Sequence, residues 1–76
     1  MLKETDRVVL LHDLPTLGLQ AGDVGTVVRV LDGRAGYDVE FKTLAGESVA
    51  VTTLISTQFR AVDPRDMAHV RKLTEM

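Results

Sequence analysis

Residues 37–42 alternate without a break: Tyr37, Val39 and Phe41 are apolar, and Asp38, Glu40 and Lys42 are charged. A period of two sends these sets to opposite faces of an extended strand, one dry and one wet. A helix would scatter both sets around its circumference. The chain is thereby committed to a sheet with one core side. It has 76 residues to build it with, room for one domain. A domain of this size buries only about 60% of the surface its unfolded chain exposes. Many such domains rely on a disulfide or a metal staple. This chain contains no Cys, which excludes disulfides, thiol catalysis, Fe–S clusters and thiolate zinc sites. His12 and His69 are far apart in sequence and make a poor start for a metal cage. Apolar packing must therefore hold the fold, and the 45% apolar fraction, rich in Val, suits pleated sheet.

The rest of the chain fits the same plan. Asp6 to Leu11 reads as a first strand, its run Val8-Val9-Leu10-Leu11 apolar enough for cover on both faces. A loop from His12 to Asp23 carries Pro15, Gly18 and Gly22, with Leu14, Leu17 and Leu19 expected to fold back over the end of the sheet. Val24 to Leu31 is the second strand, and Gly25 inside it signals a bend or a close backbone approach. Asp32-Gly33 is a turn signal before the third strand, Gly36 to Lys42. Thr43 to Gly46 forms a hairpin loop. Glu47 to Thr53 is the fourth strand, with Val49 and Val51 expected inward. Leu54 to Thr57 reads as a short helical turn, and Gln58 to Val62 as a fifth strand with Phe59 in the core. One long early loop, two tight hairpins and a single turn before the last strand give the order of a five-stranded SH3-like barrel, an all-β fold. An OB-fold wants a helix between the third and fourth strands, and Thr43 to Gly46 is too short for one.

Residues 63–76 differ in character from the barrel, residues 1–62. Asp63 suits an N-cap, Pro64 the first helical position and Asp66 the first turn. Met67, Val70 and Leu73 recur at helical spacing, and Arg71 and Lys72 lie where cations favour a helix end. The pattern predicts a short C-terminal amphipathic helix, a lid on the barrel or a partner contact, or otherwise a frayed tail, since isolated helices this short are marginal in water.

The stretch Leu19-Gln20-Ala21-Gly22-Asp23-Val24-Gly25-Thr26-Val27-Val28 resembles part of a bacterial family known as domain of unknown function 4926. Tyr37-Asp38-Val39-Glu40-Phe41, then Gly46-Glu47 and Val51-Thr52-Thr53-Leu54, are similar to the rest of that family's pattern. The resemblance spans Thr5 to Val62. It implies a small SH3-like or KOW-like barrel and, from the character of such genes as small companions of larger reading frames, an antitoxin- or immunity-like partner role.

Catalytic motifs are sparse. His12 beside Asp13 could orient an imidazole, but sequence neighbours rarely face each other, and Ser48 and Ser56 lack any nucleophile elbow. No Lys-Ser or Lys-Thr follows Gly22, so the loop is no phosphate cradle. Asp32, Asp38, Glu40 and Glu47 could gather around the middle strands, and Arg7, Arg29, Arg34, Lys42 and Arg60 could form a basic patch. Single-strand recognition wants exposed aromatic rings, yet Tyr37, Phe41 and Phe59 all read as core. The net charge of −2 also lacks the strong basic balance of a nucleic-acid binder. The expectation is a non-catalytic, cofactor-free protein-binding module, cytoplasmic because no apolar run suits a signal peptide or a membrane span. Its contact surface is expected at His12, Asp13, Leu14 and Leu17 of the loop and at the exposed acids Asp38 and Glu40. An RNA-associated barrel and a self-associating subunit are the alternatives.

Overall fold

The computed structural model describes residues 2–31 and 36–72. Five antiparallel strands form one sheet: β1 (Arg7–Leu10), β2 (Val24–Val30), β3 (Tyr37–Lys42), β4 (Ser48–Leu54) and β5 (Phe59–Ala61). Their order is β4-β3-β2-β1-β5, so β4 and β5 are the two edges. The alternation in β3 acts as expected. Val39 and Phe41 are buried, Lys42 is exposed, and Asp38 and Glu40 are half-buried.

One core collects side chains from every strand. Val8, Leu10, Val27, Val39, Phe41, Leu54 and Phe59 are buried in it, with Leu19 contributed by the loop before β2. A flat sheet could not do this. Tyr37 pairs with Val30 at the far end of β2, whereas Phe59 pairs with Leu10, level with the start of β2. At about 4.8 Å per strand, β3 and β5 would stand about 14 Å apart in a flat sheet. The rings of Tyr37 and Phe59 nevertheless meet edge to face with centroids 5.5 Å apart. The sheet is therefore folded back on itself, and β2 is where it bends. The β2–β3 register shifts between Val27 and Arg29, leaving Val28 as a bulge, and bulges bend and twist a strand.

Gly25 is the other device. A β-carbon there would lie 2.6 Å from Val39 Cγ1 and 2.7 Å from Phe41 Cε2. The close approach signalled by the sequence is thus a core contact: β2 lays bare backbone against the β3 side chains. At the far end, Gly36 has φ +126°, and a β-carbon there would meet the Leu54 carbonyl oxygen at 2.6 Å. The Asp32-Gly33 turn lies outside the described residues.

Three expectations need correction. First, the described part of the C-terminal segment, residues 63–72, contains no helix; residues 73–76 lie outside the description. Its capping signals form but do not propagate. Asp63 Oδ1 accepts the Arg65 N–H at 2.8 Å, and Asp66 Oδ2 accepts the Asp63 N–H at 2.7 Å, closing a single turn. A helix this short is marginal in water unless its apolar face is covered. Here Met67 is 90% and Val70 76% exposed, so the described residues give them little cover. Second, Val51 points out, 57% exposed, while Leu54 is buried. A register shift between Phe41 and Lys42 makes the difference. It lets Val49 and Ala50 both touch the core and turns Val51 to the solvent face opposite Glu40. Third, residues 55–58 make a turn closed by Gln58 N–H to Ile55 O at 2.9 Å, without helix.

Candidate functional site

The loop before β2 owes its shape to polar staples. Pro15–Leu17 is one 3-10 turn, closed by Gly18 in the left-handed region. Leu14 and Leu19 bridge each other through backbone hydrogen bonds of 2.9 and 3.1 Å. Asp13 Oδ1 accepts the Ala21 N–H at 2.8 Å, tying the two ends of the loop together. Of the expected contact residues here, His12 and Asp13 are exposed, Leu14 is half-buried against the core, and Leu17 is exposed. Leu19 alone plugs the sheet end completely.

Asp38 and Glu40 sit elsewhere. Asp38 pairs across the sheet with Arg29, five residues along β2 from Val24, and accepts a hydrogen bond from Thr53 Oγ1 at 2.6 Å. Glu40 lies in the outer-face row Arg7, Thr26, Glu40, Val51, with Lys42 Nζ 3.6 Å from its carboxylate. Five residues of strand span about 16 Å. The loop and Asp38 therefore do not form one patch; Asp38 is held by Thr53 and Glu40 has Lys42 beside it.

Sequence reasoning missed what the fold does bring together. A groove of about 830 Å³ runs between the sheet end and the C-terminal segment, with Leu19, Phe41 and Val49 on its floor. Its lining also takes in Asp23 and Glu47, and His69, Val70 and Arg71 from the C-terminal segment. Arg71 clamps Asp23: Nε donates to Oδ1 at 2.8 Å and Nη2 to Oδ2 at 2.7 Å. Nη2 also donates to the Gly18 carbonyl at 3.0 Å. Burial pushes the Asp23 carboxyl up, but the Arg71 hydrogen bond, the Gln20 N–H and the charges of Arg71 and His69 together bring it below its ordinary value. The Arg71 guanidinium is raised in turn, chiefly by its hydrogen bond to Asp23. No local signal announces a pair 48 residues apart. The helical spacing of residues 67–73 suggested a different role for Arg71.

A second, smaller groove of about 530 Å³ lies on the outer face of β2 and β3, between Arg7, Val28 and Glu40. It shares Val24, Lys42, Thr43 and Leu44 with the first groove, so the two are continuous around Val24. Leu44 stands 97% exposed at the tip of the β3–β4 hairpin, and Val24 and Val28 are exposed beside it. Among the described residues the expected basic patch does not form as a whole: Arg7 and Lys42 line this groove together, Arg29 stands opposite Asp38 and Arg60 is on edge strand β5, while Arg34 lies outside the described residues. Phe41 and Phe59 are buried and Tyr37 half-buried, all three committed to the core.

Fold and site together define a small all-β domain with a grooved, partly apolar surface. Over residues 4–61 it matches the family described as Domain of unknown function (DUF4926), and the chain belongs to that family. No curated protein and no solved structure matches it. Arg71 and the segment carrying it lie beyond the matched residues. No helix among the described residues is long and apolar enough to cross a membrane.

Proposed function

We propose that this domain is a non-catalytic protein-binding module of a small bacterial, cytoplasmic system, built on an SH3-like barrel and serving as the antitoxin- or immunity-like partner of a neighbouring protein. The observation that supports the reading is the pair of continuous grooves. They set Val24, Val28 and Leu44 in solvent beside Arg7, Glu40 and Lys42. A domain this small has little apolar surface to spare from its core. Exposed apolar side chains rimmed by charges are the composition of an interaction surface. The folded-back sheet and the Tyr37–Phe59 contact support the barrel.

A second reading has one observation in its favour. Edge strand β4, Ser48-Val49-Ala50-Val51-Thr52-Thr53-Leu54, carries no charge and no Pro. Edges usually hold such residues to prevent pairing with another chain. Self-association through β4 is that reading.

The test is purification of the tagged protein from its native host, with and without nuclease. A stoichiometric protein that survives nuclease, and is lost from Leu44→Asp, supports the module. A second copy of the chain alone would favour self-association. Nucleic acid, or proteins lost on nuclease treatment, would replace both with an RNA-associated barrel.

A further inference from the structure

Asp23 lies just before the second strand, and with Arg71 seated on it its side chain is 14% exposed. Among the described family-matched residues, the hydrogen-bond partner of its carboxylate is the Gln20 N–H, 2.9 Å from Oδ2. The Arg71 guanidinium both covers that carboxylate and neutralises it. The cation comes from outside that region, from Arg71. The planar guanidinium meets both carboxylate oxygens and the Gly18 carbonyl at once. Such a fork contact selects arginine by geometry as well as charge. The receptor is built wholly by the loop before β2. The ligand group arrives on an extended segment whose Val70 is largely in solvent. Beside the receptor runs the groove lined by Leu19, Phe41 and Val49, with Asp23, Lys42 and Glu47 also in its lining.

We propose that the Asp23 carboxylate, the Gly18 carbonyl and the adjoining groove form a docking site for an extended, arginine-bearing segment of a partner protein. Residues 69–72 of this chain occupy it in cis as an internal stand-in. The inference rests on the protein-binding reading and names the chemistry of the partner. An incoming segment presents its guanidinium to Asp23 and Gly18 and an apolar side chain to Leu19 and Val49. Lysine is a poor substitute, because a single ammonium does not match the planar set of acceptors. The cis segment lowers the apparent affinity of any partner by the fraction of time the site is free. Tethered as it is, it competes at an effective concentration on the order of millimolar.

The test uses the full chain, isotope-labelled for NMR, as wild type and as Arg71→Gln. The probe is a synthetic peptide with the sequence of residues 67–76, and a control peptide carries Gln in place of its arginine. The reporters are the amides of Gly18, Gln20 and Asp23. Arg71→Gln should bind the arginine peptide saturably. Wild type should bind it about tenfold or more weakly, because its site is filled. The control peptide should lose about tenfold or more in the variant, having no guanidinium to offer. Asp23→Asn combined with Arg71→Gln should lose the response while its spectrum stays that of a folded domain. If Arg71→Gln disturbs the fold, Arg71→Lys gives the same comparison with the charge retained. A folded variant whose three amides ignore the peptide overturns the proposal. So does equal affinity for the two peptides, or equal affinity of wild type and variant. The module reading fails separately. If the host partner co-purifies equally with wild type and Asp23→Asn, the partner docks elsewhere and only this proposal falls. If no protein co-purifies with wild type, the module itself is wrong.

Discussion

The ring of Phe41 lies over Gly25 so closely that a β-carbon at Gly25 would stand 2.7 Å from Cε2. Both residues are buried, and Val39 closes the same spot from the side. Gly25→Ala must therefore push β2 away from β3 or force the ring off its rotamer. Overpacking of this kind costs about 1–3 kcal/mol. Urea unfolding monitored by circular dichroism should show the midpoint falling with the slope unchanged. An unchanged midpoint would mean that β2 and β3 do not touch at Gly25.

The faces of β3 and β4 can be read by paired substitutions. Val39 and Leu54 are buried, whereas Val51 is on the solvent side opposite Glu40. Val39→Asp should unfold the domain, because it buries a charge without a partner. Leu54→Ala should cost about 2–5 kcal/mol. Glu40→Ala and Val51→Thr should each stay within about 0.5 kcal/mol. A large loss at Val51 with little at Leu54 would place the β4 register one residue away from the one described.

Phe59 carries the junction between the two ends of the sheet. It is buried on the three-residue strand β5, and its ring meets Tyr37 from β3. Phe59→Ala should cost about 3–5 kcal/mol, a large share of the stability of a domain this size. Phe59→Leu should recover part of it by refilling the volume. Amide exchange should then show β5 opening before β3. If both strands open together in every variant, the folded-back sheet behaves as one cooperative unit.

What the sequence made legible follows from how local each signal is. The alternation of residues 37–42 fixed the faces of β3, because period two is a property of the strand itself. Gly25 pointed to its own close contact for the same reason. Val51 was misplaced because a bulge between Phe41 and Lys42 resets the alternation in β4, and no residue in β4 marks it. The capping residues Asp63 and Asp66 formed their turn, but extending it into a helix depended on cover for Met67 and Val70 that the sheet does not provide. The joining of Asp23 and Arg71 depends on the whole fold and has no local trace.

The carboxylates that hold the C-terminal segment give it an acid-sensitive attachment. Asp66 is drawn down to about 2 from an ordinary 3.8, first by its hydrogen bonds from Arg60 and then by the Asp63 N–H. Asp23 is also below 3.8, the Arg71 and Gln20 contacts outweighing its burial. A carboxylate lower in the docked state than in the released one takes up its proton first when released. Its contribution is therefore complete above 3.8 and is lost as the pH falls through the docked values, about 2 for Asp66. The Arg71 Nε–H should be protected from exchange at about pH 5 and lose protection as the pH drops through that window. Core amides of Val39 and Phe41 should hold longer, because no titrating group lies in the core cluster they belong to. Arg71 still protected once acid has protonated the Asp23 carboxylate would show that this carboxylate is not what anchors the segment. Simultaneous loss of the Arg71 and Val39 signals would show that the segment is part of the cooperative fold, not a strap laid over it.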